Sequence, residues 1–363
     1  MLDLETVAYQ VNRNCRISDA THAGLFSLCG LAMRLRDLYK WEKELDPWVE
    51  DESSKVLEWI GDREEEWDTL GEEDFGVITI AGREYDPLDA AGINRVLNSY
   101  GFYYGAGYVQ SLKPTFFLAV MEEKRQVQNH PVIILGRELA RDLVTIPALS
   151  RDGCIIIRKA SARVFFWDEI FYIKKSARRA LRFALAKYGV GVDLYALRSH
   201  LERILAGELE RYIYHELGEI KDHVFDRALW REMLGSFPHT PIELLVRCVK
   251  DLLADTNEYG TLPHILKRKN AAMLGFYTAF LGNVAKEIFP EILDGFAMFA
   301  EEEDWSVIEK AIAAGKDTAS RLAREITGIF LEGKRKNDLQ WTAGEVNRAI
   351  LEPLGMGGAG SVA

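Results

Sequence analysis

The chain has 363 residues, is 48% hydrophobic and 28% charged, and carries a formal net charge of −11. That balance fits a globular protein with a sizeable core and excludes a disordered or fibrous chain. Its acidity argues against general nucleic-acid binding, and no apolar run reaches the roughly 20 residues that a membrane helix needs. Neither nucleic acid nor membrane is therefore expected as a partner. The first residues lack a basic stretch followed by an apolar core, so the expected compartment is cytoplasmic.

Residues 1–74 read as an acidic, Trp-rich helical segment. Ser18 stands where a cap would open a helix in which Leu25, Leu28, Leu31, Leu35 and Leu38 step by three or four residues. Pro47 interrupts, and Ser53 or Ser54 caps the next helix. Residues 41–74 hold fifteen acids against three bases, with Trp41, Trp48, Trp59 and Trp67 among them. Such spacing suits the seam between packed helices, and it also suits a surface that recognises a protein partner.

Residues 75–166 change character and read as a small α+β unit with a mostly antiparallel sheet. FGVITIAGREY is strand-like, and DPLDAAGINRVLNSYG is a short helix entered at Asp86 or Asp89. TFFLAVMEEK and PVIILG read as paired strands, as do CIIIRK and ARVFFW around a turn, with GRELARDLVTI as a brief helix between. The Gly-rich YYGAGY at 103–108 has neither a Gly-Lys-Ser/Thr ending nor GxGxxG, which excludes a phosphate loop.

From 167 to 352 the pattern is helical, and 353–363 reads as a flexible tail. Helices are expected near 167–188, 193–226, 227–235, 241–256, 264–289, 291–301, 304–331 and 342–352, punctuated by Pro238, Pro241, Pro263 and Pro290. The fold class is thus α+β, with N-terminal helices, a small central sheet unit and a larger all-α C-terminal domain. Nine bases against two acids in 158–190 read as a solvated helix face, and Lys174, Lys175, Arg178, Arg179 and Arg182 among them as a basic helix end that the helix dipole explains without a ligand. Cys15, Cys29, Cys154 and Cys248 form no CxxC pair, so neither a zinc knuckle nor a disulfide framework is expected.

Chemistry is concentrated in two stretches of this helical part. In LERILAGELERYIYHELGEIKDHVFD (201–226), Glu208, His215 and Glu219 return to one helix face, with Tyr212 and His223 close by. In DLLADTNEYGTLPH (251–264), Asp251, Asp255 and Glu258 share a face before His264. Carboxylates and imidazoles at fixed helical pitch suit one or two divalent cations. His215-Glu216 begins like HExxH, but the fifth residue is Glu219, so the zincin motif is not met. The expected ligands are Glu208, His215, Glu258 and His264, for iron, manganese or zinc. Glu219 would orient the imidazole and Tyr212 would donate a proton. Against this, the apolar stripe of Leu205, Leu209, Ile213 and Leu217 lies about 120° away, as on an ordinary surface helix with its acids in water.

Glu-x6-His on one helix, followed about fifty residues later by Glu-x-Gly and then a His, resembles the haem-oxygenase-like di-metal oxidases over residues 193–330. The resemblance implies an all-helical unit that carries iron on facing helices and activates dioxygen. Glu208, His215 and Glu258 would be ligands, with His264 beside them. That family also draws a histidine from a later helix, and this chain has none after His264. Two functions follow as expectations. One is a metal-dependent helical enzyme, an oxidase or a hydrolase. The other is an interaction or regulatory protein that binds a protein partner through the α+β unit and the acidic helices.

Overall fold

The first helix, α1 (Leu4–His22), starts where the Asp3 carboxylate accepts from the Thr6 amide. The computed structural model describes residues 2–191 and 194–356. Val7, Val11 and Cys15, four residues apart, form the buried face of α1 against the sheet. Ser18 is not a cap: it lies inside α1, buried, and donates to the Pro114 carbonyl. The cap expected there is supplied by Ser27, which opens α2 (Leu28–Glu42). Beyond Pro47, α3 (Ser53–Leu70) begins after Glu52. Trp41, Trp59 and Trp67 pack with Leu35, Leu38 and Leu143 in one cluster, as a helix seam does.

A short hairpin follows, β1 (Ile78–Ile80) and β2 (Arg83–Tyr85), closed by Ala81 and Gly82 at φ 50° and 78°. Positive φ at both central residues is what a two-residue hairpin of this hand requires. Next comes α4 (Ala90–Leu97), capped by Asp89. The main sheet comprises β3 (Phe102–Tyr108), β4 (Pro114–Val127), β5 (His130–Arg141), β6 (Ala148–Arg151) and β7 (Cys154–Arg158), in the order β3-β4-β5-β7-β6. Its neighbours are antiparallel except β5 and β7, which run parallel. Register shifts between Leu118 and Glu123 bend the long β4–β5 pair, and the sheet curls.

Two local expectations are corrected here. GRELARDLVTI is no helix: its first half completes β5, with Ala140 and Arg141 paired to Leu118 and Phe117. Glu138 and Arg141 are buried and stand three apart, which imitates a helix's polar face in the sequence. Conversely, ARVFFW is not a strand but lies in α5 (Lys159–Phe171), whose Ala162, Phe166, Trp167 and Ile170 are buried at helical spacing.

The first half also encloses a buried ion group. Lys113 is 1% exposed, and its ammonium sits 3.1 Å from Asp19 and 3.3 Å from Asp142. Burial works against its charge, yet the two carboxylates prevail and hold the Lys113 pKa above the usual lysine value.

The remainder is helical: α6 (Arg178–Lys187), α7 (Leu194–Arg198), α8 (Leu201–Lys221), α9 (Arg227–Ser236), α10 (Pro241–Thr256), α11 (Thr261–Arg268), α12 (Ala271–Phe280), α13 (Asn283–Ile288), α14 (Pro290–Glu302), α15 (Trp305–Lys336) and α16 (Leu339–Val346). A π turn over Asn347–Leu351 follows. The single helix expected over 264–289 is three: Lys269 turns left-handed at φ 51° and Asn270 recaps the chain as α12, and Leu281 and Gly282 leave the helical conformation before α13. Residue 193, where another helix was expected to start, and the tail from 357 on lie outside the described residues. The chain divides into two compact units after Asp168. Among the described residues no helix is long and apolar enough to cross a membrane.

Candidate metal centre

Two helices of the second unit approach closely because their contact has no side chain in it. A Cβ on Gly218 of α8 would stand 2.1 Å from the Ala254 carbonyl oxygen of α10, and one on Gly260 would stand 1.9 Å from the same atom. Asn257 seals the crossing by donating to the Gly218 carbonyl at 3.0 Å. At its other end α10 is fixed by Pro241 in the first turn and by a reciprocal cap: the Glu243 amide donates to Thr240 Oγ1, and the His239 amide donates to the Glu243 carboxylate.

This crossing brings His215 and Glu219 of α8 against Asp251 and Asp255 of α10, each pair one helical turn apart. His215 Nδ1 lies 2.9 Å from Asp255 Oδ1, and Nε2 lies 3.9 Å from Glu219 Oε1. His215, Glu219 and Asp251 each offer one ligand atom, and all three atoms fall within 4.8 Å of one another. With Nδ1 engaged by Asp255, Nε2 is the nitrogen left to bind. An imidazole oriented by a carboxylate on its far nitrogen is the usual support of a histidine ligand. The His215 and Glu219 side chains are 28% and 22% exposed, so the group is reachable from solvent.

Electrostatics holds the group charged. Burial opposes protonation of His215, but Asp255, Asp251 and Glu219 outweigh it and raise the imidazole pKa to about 10. Burial likewise opposes charge on Glu219 and Asp255. Lys250 and His215 prevail at the first, His215 at the second, and both carboxyls titrate below their usual range. Asp251 differs: burial pushes it up to about 6, with His215 pulling the other way. Lys250 is in direct ionic contact with Glu219 Oε2. Two protein cations therefore stand among three carboxylates, and a divalent ion would replace at least the Nε2 proton.

Of the four ligands expected from the sequence, the structure places only His215 in this group. Glu208 is fully buried about two turns before His215 on α8, where its Oε2 accepts from Arg211 Nε at 2.9 Å. Burial pushes its carboxyl up to about 7, against the pull of Arg211. Tyr212 is buried beneath the same guanidinium, 4.7 Å from the ring centre. Glu258 lies beyond the last turn of α10 and is exposed. His264, in α11, pairs with Glu210 at 3.1 Å and stacks on Tyr214 with ring centres 3.6 Å apart. Residues 210 and 214 occupy a different face of α8 from 215 and 219, which is why the two histidines do not meet. Glu219, expected to orient the imidazole, stands instead among the grouped ligand atoms, and Asp255 takes the orienting position. The Asp251–Asp255 pair, one turn apart on α10 like His215–Glu219 on α8, was the signal for this pairing.

The fold and this group together define an α+β protein with a histidine–carboxylate cluster in its helical unit. Residues 6–158 match the N-terminal domain, and residues 163–349 the C-terminal domain, of a family of unknown function, DUF6866. The chain belongs to that family. No curated protein and no solved structure matches it.

Proposed function

We propose that the protein is a metal-dependent enzyme whose helical unit binds one divalent cation through His215 Nε2, Glu219 and Asp251. The observation that carries this reading is the His215–Asp255 contact at 2.9 Å beside three ligand atoms within 4.8 Å of one another. One imidazole and two carboxylates form a mixed donor set that suits zinc, manganese or iron. Three protein ligands leave coordination positions for water and substrate, as catalytic sites do. When bound, the cation supplies Lewis acidity. Asp255 keeps the imidazole oriented, and Lys250 balances Glu219 until a metal displaces it. A hydrolase needs a single such ion and is the reading we favour. A di-metal oxidase would need Glu208, Glu258 and His264 beside His215, and each of them has other surroundings.

The test is metal content by plasma mass spectrometry on untagged protein, against His215→Ala and Asp251→Asn variants that keep the native helical signal. Stoichiometric metal that disappears in both variants is expected. Metal-free protein that also takes up no added zinc, manganese or iron would overturn the reading.

A second reading, binding of a partner through the N-terminal unit, draws on a cleft of about 910 Å³ in that unit. Leu4, Ala8, Trp41 and Leu139 give it apolar walls, with Arg16 and Arg137 also lining it. Arg137→Glu would weaken such binding and leave metal content unchanged, as a pull-down alongside metal analysis would show.

A further inference from the structure

The metal group leaves unused a set of buried polar atoms gathered around Arg211. Glu208 Oε1, Arg211 Nη2 and the hydroxyls of Tyr212 and Tyr277 are buried and make no hydrogen bond of ordinary geometry. Glu208 is 0% exposed, Tyr277 5% and Tyr212 8%. Buried polar atoms are nearly always partnered, so several unpaired ones around one guanidinium call for an explanation. Their positions are fixed: Glu208 Oε2 accepts from Arg211 Nε, and the guanidinium lies 4.7 Å from the Tyr212 ring centre and 5.8 Å from that of Phe280 on α12. Tyr277, also on α12, turns its hydroxyl towards Asp255, the residue that orients His215, at the edge of hydrogen-bonding geometry.

A guanidinium N–H and two phenol O–H groups are donors, and their complement is an oxygen acceptor. The charge of Arg211 calls for an anion, with a planar fork that matches a carboxylate. Glu208 and Glu169 beside it disfavour a dianion such as phosphate. Arg211 keeps 14% of its side chain exposed, so the unpaired atoms, themselves sealed, lie beneath a side chain that reaches solvent.

We infer that the Arg211 group is a subsite for the carboxylate of a small organic acid, held by Arg211 Nη2 and the Tyr212 and Tyr277 hydroxyls, so that small carboxylic acids are the substrate class of the neighbouring metal group. The substrate role rests on the metal reading above; the subsite itself does not.

The probe is ¹³C-acetate, titrated by NMR into the full-length protein, both stripped with EDTA and loaded with zinc. Saturable binding is expected in both forms, about ten-fold weaker or more in the Tyr212→Phe/Tyr277→Phe double variant, which keeps both rings and the fold. Arg211→Lys, which keeps the charge but not the fork, weakens it as well. Saturable binding that ignores these substitutions and appears only with zinc would mean acetate on the metal; it would overturn the subsite and leave the metal reading intact. Arg211-dependent binding in a protein that takes up no zinc, manganese or iron would keep the subsite and remove the metal reading. No saturable binding in either form, or equal binding of inorganic phosphate, would overturn the inference.

Discussion

His215 carries the most consequential proton in the second unit. Its pKa is raised to about 10 in the folded chain and is about 6.5 for an unperturbed histidine. A raised pKa means that the folded state holds the proton more tightly. Its stabilisation is therefore complete below about pH 6.5 and is lost as pH climbs from there towards 10. Glu219 and Asp255 have lowered pKa values, so their contribution is present above the ordinary carboxyl range and is lost as pH falls through it. Asp251, raised to about 6, adds a loss as pH rises from about 4 to 6, below the histidine window. Together these groups place the greatest stability of the metal-free protein at about pH 4–5, at the top of the ordinary carboxyl range, with a decline on either side. Urea midpoints should fall between pH 7 and 10, and that alkaline limb should flatten in His215→Ala. An unchanged limb would place the proton elsewhere. At the same scale, Asp255→Asn leaves the three ligands in place but loosens the imidazole. Zinc affinity, read by competition with a chelating dye, should drop about 10–100-fold.

The crossing of α8 and α10 decides whether those residues meet. Gly218 leaves no room for even a methyl against the Ala254 carbonyl, so Gly218→Ala must push the two helices apart. A cost of about 1–3 kcal/mol is expected from overpacking. It should appear as a lower urea midpoint together with weaker zinc binding, whereas Gly235→Ala in α9, where a Cβ meets nothing within 4 Å, should leave zinc binding unchanged and raise the midpoint slightly. The elements themselves were largely legible in the sequence. α10 runs over the residues its Pro241 and Thr256 bracket, and the Asp89 cap of α4 was readable as such. β5 was not fully legible, because buried Glu138 and Arg141 interrupt its apolar run, and the pairing of Glu138 with Arg158 from β7 is a long-range fact. The site was half legible for a related reason. Periodicity shows that His215 and Glu219 share a face, and likewise Asp251 and Asp255. Which turn of α8 opposes which turn of α10 depends on a glycine contact that no periodicity reveals. Glu208 looked like a ligand and is a buried partner of Arg211 instead.

Across the whole chain, the two compact units coincide closely with the two family domains, which end at 158 and begin at 163. The candidate chemistry lies entirely in the second. Metal addition should therefore slow amide hydrogen exchange in α8 and α10, the two helices it clamps, and exchange that slows only elsewhere would place the ion at another site.

The first unit carries its own reporter in Lys113. An amine sealed between Asp19 and Asp142 meets no reagent in the folded chain. An acylating reagent can modify it only during the moments when α1 lifts from the sheet. The labelling rate of this one lysine, followed by peptide mass, is thus a clock for the opening of the N-terminal unit. Because acylation erases the charge that Asp19 and Asp142 were built around, each molecule caught open should be unable to close again.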